Sequence, residues 1–160
     1  MRAAKLVAAA GALLVSHVAC AQTARQTVTF QVDAINQISV SAATVSLDIN
    51  TAVAGANPTS ATSSGLTWAV TTNQSGAKIT GILNSDMPAG LTLSATLGAP
   101  TGAASVGAVS LSSTSVDLVT GISQLAAPSL SLSYTLDATP AAGVVASTTR
   151  TVTYTITGGA

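Results

Sequence analysis

Apolar residues at every second position, with Thr or Ser between them, recur along almost the whole of this chain. Val28, Phe30 and Val32 alternate with Thr27, Thr29 and Gln31, Ile38 and Val40 with Ser39 and Ser41, and Val45, Leu47 and Ile49 with Ser46 and Asp48. The pattern returns at Leu66, Trp68 and Val70, over 91–97, 130–136 and 152–156, and more briefly over 79–83 and 109–111. Successive side chains of a β-strand point to opposite faces, so each run makes one apolar and one hydroxyl-bearing face. The one helix candidate, Val116 to Leu125, is interrupted by Gly121 and reads as a strand followed by a loop. Turn formers fill the gaps: Gly55 with Asn57-Pro58, Asp86 to Gly90, Gly98 to Gly102, Ala126-Ala127-Pro128, and Pro140 to Gly143. Asn73-Gln74-Ser75-Gly76 reads as a hairpin turn between 68–72 and 79–83. The spacing predicts an all-β protein, an antiparallel β-sandwich of about eight or nine strands.

Composition narrows what such a sandwich can do. At 160 residues the chain has length for one ordinary domain. Only 6% of residues are charged, the formal net charge is 0, and no Glu occurs. A nucleic-acid partner is excluded, because phosphate neutralisation needs a basic field. Disorder is excluded by 48% hydrophobic residues without net charge. A coiled coil is excluded by the lack of charged heptads. Ser and Thr make up more than a quarter of the chain and keep the outer faces wet without charge. Such faces can meet another subunit with little charge to desolvate.

The first 21 residues read as a secretory signal peptide. Arg2 and Lys5 precede an apolar run from Leu6 to Val15, and Ala19-Cys20-Ala21 offers a small-residue cleavage site between Ala21 and Gln22. The run is too short to span a membrane, which takes about 20 apolar residues. The rival reading, a lipoprotein signal with Cys20 as the lipidated first residue, wants an aliphatic residue three before the Cys, where His17 stands. Cleavage leaves residues 22–160 as one exported sandwich domain, bound for the periplasm, the cell surface or the medium. Cys20 and His17 are the only cysteine and histidine, so the exported chain has no disulfide.

That loss also removes most catalytic chemistry. A Ser-His-Asp triad, a Cys-His pair and zinc sites of Cys and His all need residues the exported chain lacks. The five Asp residues, Asp33, Asp48, Asp86, Asp117 and Asp137, are single and far apart, and no calcium-loop or nucleotide-binding pattern occurs. A single calcium held by Asp and carbonyl oxygens is compatible with this composition. Ser75-Gly76-Ala77-Lys78 matches Ser-x-x-Lys, but the companion Ser-Asp-Asn and Lys-Thr-Gly motifs are absent. Asn73-Gln74-Ser75 fits the N-glycosylation triplet. Trp68 is in phase with Leu66 and Val70 and reads as core rather than as a sugar-stacking platform. Tyr134 and Tyr154 are in phase with aliphatic neighbours and read as core or rim, their hydroxyls reaching water. No catalytic residue, metal ligand or cofactor is expected.

The opening Thr27-Val28-Thr29-Phe30-Gln31-Val32, the following Ile38-Ser39-Val40-Ser41-Ala42 and the closing Arg150-Thr151-Val152-Thr153-Tyr154-Thr155-Ile156-Thr157 form a layout. It resembles small secreted bacterial β-sandwich subunits, the fimbrial or pilin-like proteins and the spore coat protein U-like group. The resemblance covers most of the exported chain and implies an immunoglobulin-like or pilin-like sandwich. The chain departs from that pattern in two places. No disulfide can form, and the sequence ends Gly158-Gly159-Ala160, without the aromatic residue next to last that chaperone–usher pilins carry.

The expected function is a non-enzymatic structural subunit of the bacterial cell surface that associates with itself or with another surface protein. The first and last alternating runs contain no Lys or Pro to protect a sheet edge. One of them is expected to pair between subunits, and Val28, Phe30 and Val32 are the candidate assembly residues. The alternative is a monomeric secreted adhesion module recognising a glycan or a surface protein through its loops.

Overall fold

The computed structural model describes residues 22–159, and the expected signal peptide up to Ala21 lies outside them. Asp33–Ala160 forms one compact unit, and the described residues 22–32 belong to a separate one. The compact unit is an antiparallel β-sandwich with no α-helix among the described residues. Its strands are β1 (Asn36–Val40), β2 (Ala61–Thr62), β3 (Leu66–Thr72), β4 (Ala77–Leu83), β5 (Leu91–Leu97), β6 (Ala104–Ser105), β7 (Val109–Ser110), β8 (Val116–Ile122), β9 (Leu125–Ala138) and β10 (Val152–Thr157). A six-stranded sheet runs in the order β1-β3-β9-β5-β7, with β2 also paired to β9, and a four-stranded sheet runs β10-β4-β8-β6.

Alternation turns into burial wherever a run is covered by the opposite sheet. Trp68 and Val70 on β3, Leu93, Ala95 and Leu97 on β5, and Leu132 on β9 face inward from the first sheet. Ala77, Ile79 and Leu83 on β4, with Leu118, Val119 and Ile122 on β8, meet them from the second. Trp68 is 1% exposed, as its phase predicts, and its indole N–H donates to the Gly98 carbonyl at 3.1 Å. Buried aromatic N–H groups need such a partner, and this one lets a large ring occupy the core at no polar cost.

Four expectations fail at specific places. Thr27 to Val32 forms no strand, although its alternation is perfect. Val45, Leu47 and Ile49 likewise lie outside any strand. Asn73 to Gly76 is a turn but no hairpin, because it carries the chain from β3 in one sheet to β4 in the other. Ala126-Ala127-Pro128 is not a turn but lies within β9. There Trp68 pairs with Leu130 and Val70 with Ala127, so Pro128 and Ser129 together oppose Ala69. This is a β-bulge, one of the few sites in a sheet that accept a residue without an N–H. Ser129 takes a positive φ of 56° to make it.

Candidate assembly site

The two flanks of the sandwich end differently. On one, the sheets finish in β6 and β7, each two residues long. The Ser105 hydroxyl donates to the Leu97 carbonyl at 2.6 Å, tying β6 across to β5. On the other flank the edge strands are β1, five residues, and β10, six residues, which lie against each other across the sandwich. Among the described residues β1 pairs only with β3 and β10 only with β4. Each therefore keeps one backbone edge unpaired among the described residues.

A groove of about 460 Å³ opens along this flank. Its floor is apolar: Met87, Leu93, Leu136 and Val152, with the rings of Tyr134 and Tyr154. One bank is the approach to β10, Thr148 to Thr151. The other is Val40 with the segment after β1, including Ala42 to Val45 and Leu47. All of the floor residues but Met87 lie on β5, β9 and β10; Leu93 is buried and the others are partly buried.

The two tyrosines were expected to reach water separately. Instead their hydroxyl oxygens lie 2.6 Å apart in a hydrogen bond that joins β9 of one sheet to β10 of the other. Burial raises the pKa of both phenols above the ordinary 10.0, and for Tyr154 the neighbouring phenol raises it further. One phenol donates to the other, which leaves a single O–H for a further acceptor. The sequence carried no sign of this pair, because Tyr134 and Tyr154 belong to different sheets.

The residues before the sandwich carry complementary chemistry. Val28, Phe30 and Val32 are 72%, 88% and 77% exposed. Three consecutive inward-type side chains of one alternating run thus stand in solvent. Asp33 and Ile35 are anchored: the Asn73 side chain donates to the Asp33 carbonyl at 2.7 Å and accepts from the Ile35 N–H at 2.7 Å.

Other candidate residues come together less. Lys78 lies on β4 and pairs with Asp117 of β8 at 2.9 Å on an exposed face, while Ser75 sits in the preceding turn. Ser-x-x-Lys therefore has no helix on which to place Ser and Lys together. The Asp86 carboxylate accepts from the Ser113 N–H at 2.6 Å, and that bond holds its pKa below the ordinary value. Among the described residues no three His, Cys, Asp or Glu side chains cluster as a metal site would require. No helix among them is long and apolar enough to cross a membrane. Comparison with protein-family models, with curated proteins and with solved structures finds no match.

Proposed function

We propose that this chain is an exported, non-enzymatic structural subunit of the bacterial cell surface that assembles with copies of itself by strand addition. One observation supports the reading: an exposed alternating run and an apolar-lined groove occur in one chain. Val28, Phe30 and Val32 lie on an alternating run that forms no strand and is exposed to solvent, and the β-sandwich has a groove lined in part by Val152 and Tyr154 of β10. A strand that enters such a slot completes a sheet and buries its alternate side chains at once. Each of Val28, Phe30 and Val32 would contribute roughly 1.5–3 kcal/mol on burial. A head-to-tail contact of this kind yields open fibres wherever its rotation does not close a ring.

The resemblance to fimbrial and spore coat protein U-like subunits points the same way, as does a composition without the residues of hydrolytic or metal chemistry. Electron microscopy and light scattering on the exported protein test the reading. Concentration-dependent polymers that disappear when residues 22–32 are deleted are expected. An exported protein that stays monomeric at high concentration would be the adhesion module of the alternative reading.

A further inference from the structure

The chain has two tyrosines, Tyr134 and Tyr154, and they meet each other. Their hydroxyl oxygens are 2.6 Å apart, one ring reaching from β9 in the six-stranded sheet and the other from β10 in the four-stranded sheet. With Cys20 as its single cysteine, the chain cannot tie its own sheets by a disulfide. Both rings are partly buried, yet both line the groove that opens along this flank, so an oxidant outside has access to them. Trp68, by contrast, is sealed in the core at 1% exposure.

We propose that Tyr134 and Tyr154 are a site of oxidative cross-linking, at which a peroxidase using hydrogen peroxide couples the two phenols into a dityrosine that ties one sheet to the other. Oxidation takes one electron from each ring, the hydroxyl proton of each leaves to solvent, and two phenoxyl radicals result. The unpaired electron of each is shared with the ring carbons ortho to the oxygen. Those carbons flank the hydroxyl-bearing carbon, so rings that meet at their hydroxyls also bring these carbons near each other. A carbon–carbon bond forms between one ortho carbon of each ring. The hydrogen on each of these carbons is then replaced by one on the phenol oxygen, which restores both rings. In sum two electrons and two protons leave the pair, and one hydrogen peroxide takes them up to become two waters. Holding two reactants together makes their coupling effectively unimolecular. The bond therefore forms within a chain rather than between copies. It closes a loop between residues 20 apart and, like a disulfide, restricts the unfolded chain. The inference goes beyond the assembly reading and does not depend on it, since neither tyrosine belongs to residues 27–32.

The test treats dilute exported protein with hydrogen peroxide and a haem peroxidase, under conditions that couple free tyrosine in a parallel sample. Trypsin then cuts after Lys78 and Arg150, which places Tyr134 on peptide 79–150 and Tyr154 on peptide 151–160. The expected product is these two peptides joined, lighter than their sum by two hydrogen atoms and showing dityrosine fluorescence, from protein that still runs as one chain under denaturing conditions. The yield per molecule should hold constant over about a tenfold dilution. The unfolding midpoint of the coupled protein should rise by about 5–10 °C. Tyr134→Phe and Tyr154→Phe should each give no joined peptide. No joined peptide in the parent while free tyrosine couples would overturn the proposal. So would oxygen added at Met87, in the same groove, with no hydrogen lost from the tyrosines, since the oxidant would then have reached the pair without coupling it. Chains of doubled mass, or a yield that falls on dilution, would overturn it in favour of coupling between copies. An unchanged unfolding midpoint in coupled protein would overturn the tie between the sheets.

Discussion

The flank closed by β6 and β7 and the flank left open by β1 and β10 belong to the same two sheets, yet they treat their edges in opposite ways. Two-residue edge strands give an incoming strand little to pair with, and shortness is one of the usual protections against aggregation. On the open flank the edges are five and six residues long, carry no Lys or Pro, and border an apolar groove. Edge protection is thus applied on one side of a single β-sandwich and withheld on the other. The contrast teaches that the longer edge strands and the groove fall on the same flank.

Substitutions on the covered side should act on folding, and those on the open flank chiefly on association. The largest folding effect is expected at Trp68, whose ring is buried and bonded to Gly98. Trp68→Ala should lower unfolding free energy by about 3–5 kcal/mol, read by denaturant titration of dilute protein. A loss under about 1 kcal/mol would place the ring at the surface and dissolve the contrast between the flanks.

A smaller effect is expected where the groove floor joins the two sheets. Tyr154→Phe removes one half of the phenol pair and should cost about 1 kcal/mol. The pair also predicts an alkaline limit. Both phenols have folded-state pKa values raised above the unfolded value, so the folded state holds its protons more tightly. Their contribution to stability is whole below the unfolded value near 10 and is lost as pH rises through the folded values. Unfolding midpoints should therefore fall above about pH 10, and less steeply in Tyr154→Phe than in the parent protein. Equal slopes in both proteins would mean that the pair is solvated and that the groove floor is not a closed joint.

The smallest effect is expected at Lys78. Its pairing with Asp117 is exposed, and Lys78→Ala should change stability by less than about 0.5 kcal/mol and leave assembly unchanged. A loss of assembly in this variant would move the association surface from the groove to the outer face of β4.

Much of this was legible in the sequence, and the failures have one cause. Alternation reports that a segment has two unlike faces, but it cannot report whether a neighbour exists to cover one of them. Leu66, Trp68 and Val70 found that neighbour, while Val28, Phe30 and Val32, and Val45 with its partners, did not. The same blindness hid the groove. Leu93 and Leu136 read as ordinary inward residues, and only the sheet order shows that no strand among the described residues lies beyond β10. Ala61-Thr62 and Ala104-Ser105 are strands too short to carry any periodicity. Pro128 misled because a proline argues for a turn unless a bulge receives it, and the bulge depends on β3, far away in sequence.

The most direct test of strand addition is the assembly state of exported Phe30→Asp protein beside the parent, by light scattering across a range of concentrations, with thermal unfolding measured on the same samples. Phe30 is 88% exposed and outside the core, so the folded subunit does not need it. The account predicts that the parent polymerises and that Phe30→Asp stays monomeric, while at low concentration both unfold at the same temperature. A variant that still polymerises like the parent, or one whose unfolding temperature drops sharply in the dilute monomer, would contradict it.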